Sequence, residues 1–143
     1  MSGISLVGGS ECRVSSVLGR NTRELGKKHL FDGSAETCWN SDQGTPQWVA
    51  LRWPSPVQVT SITAQFQGGF CGAADTMVEV PQEEGSSGWQ MAHPWPLEDV
   101  GTPQTLQLPQ PLTTSSLRLT FPSSTDFFGR IIMYKLDVLG KKL

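Results

Sequence analysis

Residues 47–53 alternate strictly, with Trp48, Ala50 and Arg52 on one side of an extended chain and Val49, Leu51 and Trp53 on the other. That is the period of a β-strand, in which successive side chains point to opposite faces. The same period, wholly or in part, marks residues 12–18, 76–80, 89–93, 104–108 and 116–121. Residues 57–66 are rich in β-branched side chains and alternate only in part, which predicts a long central strand. In residues 131–139, Ile132, Tyr134, Leu136 and Val138 share one face, while Ile131, Met133, Lys135, Asp137 and Leu139 form a wetter one. Pro54 and Pro56, Pro94 and Pro96, and Pro109 and Pro111 stand between these runs. Proline removes a backbone donor and restricts its predecessor, so each pair predicts a turn that ends a strand. The pattern as a whole predicts an all-β chain: a sandwich of about eight strands, with no helix longer than about three turns.

Composition narrows this picture. A chain of 143 residues suits one domain over residues 1–143, and at that size roughly two-thirds of the unfolded surface can be buried. Its 15 Gly and 10 Pro, spread along the length, favour short elements joined by turns. Residues 1–10 read as a flexible glycine-containing lead with no basic segment followed by an apolar run, so no signal peptide is expected. The formal net charge of −2 gives no general attraction to phosphate backbones or anionic membranes, so nucleic acid and membrane are not expected partners. Cys12, Cys38 and Cys71 cannot all pair within one chain, and neither Asn21 nor Asn40 lies in a glycosylation sequon. A reducing compartment, nucleus and cytoplasm, is the expectation, with the three thiols packed as small apolar groups.

The candidate chemistry centres on residues 29–53. Asp32-Gly33 makes a tight turn, and Asp32 and Thr37 are short oxygen-bearing side chains able to aim at one centre, either a cation or a set of backbone amides. Residues 20–28 carry Arg20, Arg23, Lys27 and Lys28 against Glu24 alone, and read as an exposed loop or short helical turn, either simply solvated or in contact with an acidic partner. The glycines of residues 67–75 lack the spacing and the following helix of a phosphate cradle. Glu83 and Glu84 fall in a solvated turn, and His29 and His93 stand apart from any zinc-ligand spacing. There is no nucleophile elbow, and nothing in the chain argues for catalysis.

The pattern Asp-Gly-x-x-x-Thr-x-Trp over residues 32–39, followed by Gln47-Trp48 opening a strand, resembles the discoidin or coagulation-factor C-type domain. The resemblance covers roughly the whole chain and implies a jelly-roll β-sandwich of the galactose-binding-like class. It also implies a ligand surface at the loop end of the sandwich, formed here by residues 39–43, 67–75 and 125–130. On those loops Phe70, Phe127 and Phe128 are candidate exposed anchors, with Asn40, Asp42 and Arg130 as polar partners, since aromatics and arginine tend to carry interface energy. The alternative is that one or two of these phenylalanines plug the core and that Arg130 pairs with Asp126 or Asp42. Trp39 and Trp48 are expected in the core.

Secreted members of the family usually tie their two ends with a disulfide, for which this chain lacks a C-terminal cysteine. Many members hold calcium with carbonyl oxygens of the turn and side chains matching Asp32 and Thr37, often with an acidic residue at the start of the terminal strand. Here Ser34 stands where relatives often carry a second acid, and Lys135 is expected near the site, where its ammonium would repel a divalent ion or occupy the hole itself, bonded by Asp32. No cofactor is therefore required, and calcium is at most an option. The strings at residues 20–23, 26–32, 38–44, 66–70 and 126–130 resemble one small intracellular member of the family. That resemblance implies a non-catalytic adaptor whose protein partner is an orphan nuclear receptor and whose effect is repression of its transactivation. A glycan-binding, lectin-like module is the alternative, and a peripheral membrane binder wedging Phe70, Phe127 and Phe128 is the third reading.

Overall fold

The computed structural model describes residues 3–83 and 87–143. The turn holding Glu83 and Glu84 is only partly covered, because residues 84–86 lie outside the described residues. Among the described residues there are eight strands: β1 Ile4–Ser5, β2 Glu11–Val14, β3 Trp39–Asn40, β4 Gln47–Phe66, β5 Met77–Pro81, β6 Trp89–Pro94, β7 Gln104–Phe121 and β8 Ile132–Lys142. A short helix, α1 Thr22–Leu25, lies between the 3-10 turns Leu18–Arg20 and Lys27–Leu30.

The strand ladder runs β1-β8-β4-β7-β5-β6, with β2 added against β4 and β3 against β8. All pairings are antiparallel. The long strands β4 and β7 join the two layers. Residues 47–52 of β4 pair with residues 116–121 of β7 on one side, and residues 49–52 pair with β2 on the other, whereas residues 57–64 pair with β7 and β8. Strands that pass from one layer to the other in this way make the corners of a sandwich.

Pro54 and Pro56 stand at the corner of β4 and do not end the strand: the β4–β7 register shifts between Arg52 and Val57, and pairing then resumes. The expected turn at Pro109 and Pro111 is likewise the bend of one strand, Gln104–Phe121. Proline removes one ladder donor, but a strand crossing between layers has already broken its ladder there.

Two other expectations are corrected. The lead is held down at its described residues: Ile4 and Ser5 pair with Gly140 and Leu139, Leu6 is buried, and its carbonyl accepts the indole N–H of Trp53 at 2.8 Å. The alternation assigned to residues 131–139 breaks at Tyr134, because Gln65 is opposite Lys135 while Phe66 is opposite Met133. That extra residue is a bulge, which reverses the facing of everything beyond it. Met133 therefore joins Leu136 and Val138 in the core, and Tyr134 stays partly exposed.

Val49, Leu51, Trp53, Val59, Ile62 and Phe66 fill the core from β4, with Phe121 edge-on to Phe66 at 5.8 Å between centroids. Trp39 is fully buried, and its indole N–H reaches the Ser16 carbonyl at 2.8 Å. Trp48, expected inside, is on the outer face of β4, with the Arg118 guanidinium 5.9 Å from its ring centroid. Strand parity decides this, because Val49 and Leu51 take the inward positions on either side.

Candidate functional site

Three loops meet at one end of the sandwich, each tied to the next by backbone hydrogen bonds. Ser41, wholly buried, donates its amide to Ile131 O and accepts the Ile131 amide on its hydroxyl, both at 2.8 Å. Gly44 donates to Phe128 O at 2.8 Å. Gly129 has φ 87°, and a Cβ there would lie 2.9 Å from the Gly44 backbone, so this crossing admits only glycine. Residues 67–72 join from the other side: Thr125 donates its amide to Cys71 O at 2.9 Å, and Cys71 donates to the Thr125 hydroxyl at 3.0 Å.

Residues 124–130 close on themselves. The Asp126 amide donates to Ser124 Oγ at 3.0 Å, Ser124 Oγ donates to Arg130 O at 2.7 Å, and the Arg130 amide and Nε donate to Asp126 Oδ2 at 3.0 and 3.3 Å. With the backbone satisfied inward, the two side chains at the tip are left outside. Phe127 is 92% exposed and Phe128 57%, and their rings meet edge to face at 5.1 Å. Neither phenylalanine plugs the core. The Arg130 guanidinium covers the ring of Phe70 at 4.8 Å while holding Asp126, so Phe70 is braced rather than free.

The structure brings Phe70, Asp126, Phe127, Phe128 and Arg130 together and separates two other candidates from them. Asn40 is 9% exposed, on β3 opposite Ile132, and its Oδ1 is buried with no partner among the described residues. Asp42 is exposed but lines a lateral groove beside Trp48 and Arg13. Sequence reasoning missed Asp99, whose carboxylate accepts the Gly69 amide at 2.7 Å and the Thr125 hydroxyl at 3.2 Å. The Gly69 amide is the main cause of its lowered pKa. It also missed Gln47, buried at the root of the loop end, whose Oε1 accepts Ser15 and Ser16 while Nε2 donates to the carbonyls of Asp42 and Gly44. Only its position at the start of β4 hinted at it.

The Asp32 turn is closed by its own hydrogen bonds. Asp32 accepts the Ser34 amide at 2.9 Å, the Thr37 hydroxyl at 2.5 Å and His29 Nδ1 at 3.0 Å. These bonds, the Thr37 hydroxyl first, then the Ser34 amide and His29, hold its pKa down to about 2. His29 Nε2 faces the Arg23 carbonyl at 2.9 Å. Calcium takes about six to eight oxygens and favours several carboxylates. Asp32 is a single carboxylate with both oxygens already engaged, and no group of three His, Cys, Asp or Glu side chains is assembled among the described residues. Asp32 thus offers a cation one carboxylate, which is bonded within its own turn. Lys135 shares a 510 Å³ cavity with Gly33 and Ser34 but makes no ion pair among the described residues; of the two roles open to it, the bond to Asp32 is not formed, and His29 pairs with Asp32 instead.

No family profile matches the chain. Its fold is similar to a family 32 carbohydrate-binding module of C. perfringens NanJ solved in complex with galactose, with TM-score 0.78 and 13% identity over 97% of this chain and 99% of that one. An F5/8 type C domain from Bacteroides fragilis matches with TM-score 0.78 and 16% identity, over 99% of this chain and 98% of that one. These likenesses concern the fold, which is the jelly-roll sandwich of discoidin, galactose-binding-like type expected from the sequence. Among curated proteins, the chain is 44% identical over 133 residues to the nuclear receptor 2C2-associated protein of Danio rerio, covering 93% of this chain and 92% of that one. With 48% identity over 134 residues to the Mus musculus protein of the same name, covering 91% of this chain and 90% of that one, the chain belongs to the nuclear receptor 2C2-associated protein family.

Proposed function

We propose that this protein is a non-catalytic adaptor that grips a protein partner with the loop end of its sandwich. The observation that carries the reading is the pair Phe127 and Phe128, exposed on a loop whose backbone is closed by its own hydrogen bonds. Rigid exposed aromatics beside an arginine are the composition of an interface anchor, because they bury much apolar area at little entropic cost. The relatives are named for association with nuclear receptor 2C2. Read across, the partner is an orphan nuclear receptor, the consequence is repression of its transactivation, and the work is done in nucleus and cytoplasm without calcium. Co-precipitation of the receptor by wild-type protein, lost with Phe127→Asp/Phe128→Asp at unchanged melting temperature, is the expected result. Undiminished capture by that variant overturns the assignment of the surface.

Glycan binding is the second reading, favoured by the sandwich type. It asks for an open aromatic face beside polar groups, and here Arg130 covers Phe70. A glycan array blank for the wild-type protein sinks it.

A further inference from the structure

A lateral groove of 860 Å³ runs between β2, the 3-10 turn Leu18–Arg20, α1 and the outer face of β4. Arg13, Arg20, Lys27 and Lys28 line it and are exposed, while Val14, Val17 and Trp48 give it a half-buried apolar wall. Four of the chain's 11 basic residues thus converge on one groove in a protein of net charge −2. The carboxylate that lines it is Asp42. Arg13 has an exposed pairing with Glu11 at 3.7 Å, and none of Arg20, Lys27 and Lys28 makes an ion pair among the described residues.

The groove is held in shape. The Ser16 carbonyl accepts the Trp39 indole, the Ser16 hydroxyl is bonded to buried Gln47, and the Asp42 amide donates to that hydroxyl. Arg20 has φ 57°, directly after Gly19 at φ 59°. A non-glycine residue in the left-handed region is strained and persists only where its surroundings impose it. Here the imposed turn sets Arg20 on the rim of the groove.

From this juxtaposition we propose that the groove docks an acidic peptide segment of a partner protein, with carboxylates on Arg20, Lys27 and Lys28 and an intervening apolar side chain against Val14, Val17 and Trp48. Mixed chemistry favours such a peptide over a polyanion. A phosphate chain leaves the apolar wall unused, and a net-negative protein provides no long-range field for nucleic acid. This surface is distinct from the Phe127–Phe128 tip and does not depend on it.

The test is fluorescence anisotropy with a fluorescein-labelled peptide of repeated Glu-Glu-Leu triplets, its Lys-Lys-Leu counterpart, and inorganic polyphosphate as competitor. The acidic peptide is expected to bind at low salt and weaken as salt screens the charges. Lys27→Glu/Lys28→Glu should weaken it by at least about tenfold, a change equivalent to about 1.4 kcal/mol. Lys27→Gln/Lys28→Gln provides a milder loss in case charge reversal disturbs folding, Trp48→Ala reports on the apolar wall, and Phe127→Asp/Phe128→Asp should bind as the wild type does. No binding of the acidic peptide, equal binding of the lysine peptide, or polyphosphate bound in its place overturns the proposal. Loss on changing the phenylalanines but not the lysines overturns it as well, by moving the peptide to the loop end.

Discussion

Ser16 donates its hydroxyl to Gln47 Oε1 at 2.7 Å and, on the same oxygen, accepts the Asp42 amide at 3.0 Å. One buried amide thereby holds two surfaces: the carbonyls of Asp42 and Gly44 at the loop end, and the Ser15-Ser16 segment, of which Ser16 lines the basic groove. All four hydrogen-bonding positions of the Gln47 side chain are filled, which is the condition for a buried amide to stabilise rather than cost.

Replacing Gln47 by Leu should therefore destabilise the protein although it adds apolar volume. Hydroxyls and carbonyls that faced the amide lose their partner, and each buried group left unpaired costs about 1–3 kcal/mol. Urea unfolding is expected to show a lower midpoint with an unchanged slope. Equal stability would mean that these groups reach water.

The two kinds of phenylalanine should separate cleanly in stability. Phe127→Asp/Phe128→Asp acts on side chains 92% and 57% exposed, so stability should stay within about 0.5 kcal/mol per site, as at ordinary surface positions. Phe66→Ala removes a fully buried ring packed edge-on to Phe121 and should cost about 3–5 kcal/mol. Thermal melts of the two variants, side by side, check the contrast.

Acid should loosen the turn at residues 32–37. The Asp32 pKa is about 2 in the folded protein against 3.8 as the ordinary value, so the unfolded chain binds the proton more readily. The contribution is present above pH 3.8 and is lost as pH falls towards 2. Asp32→Asn should flatten that part of the stability–pH curve and leave its slope above pH 5 unchanged. Calorimetry at a series of pH values reads this, and an unaltered acid limb would show that the carboxylate is equally bonded in the unfolded chain.

Native thiols should resist alkylation. Burial pushes the Cys12 and Cys71 thiols up to about 11, and Cys71 donates to the carbonyls of Gln67 and Val100. Little thiolate exists at neutral pH, and the thiolate is the reactive form. Iodoacetamide followed by mass spectrometry should modify Cys12 and Cys71 slowly in the native state, and all three cysteines, free in the structure, once unfolded without reductant.

Much was legible in the chain because it is local. Period-two alternation is a property of the extended backbone, so it grouped Val49, Leu51 and Trp53 on one face of β4 and Trp48, Ala50 and Arg52 on the other; which face turned inward was decided by packing. The turn chemistry of Asp32, Gly33 and Thr37 is equally short-range. Whatever depends on the facing partner was not legible. Pro54 and Pro56 became a corner because β4 changes layers there, and Tyr134 became a bulge because Phe66 pairs with Met133. Asn40 was drawn inside by its place opposite Ile132, and Trp48 was left outside by the inward turn of its neighbours. Asp99 met Gly69, and Arg20 met Trp48 across one groove, over separations that no local pattern encodes. The sequence by itself determined the period and the punctuation; tertiary pairing decided which polar groups would face each other, since a hydrogen bond or a groove wall needs two segments and each segment carries only its own half.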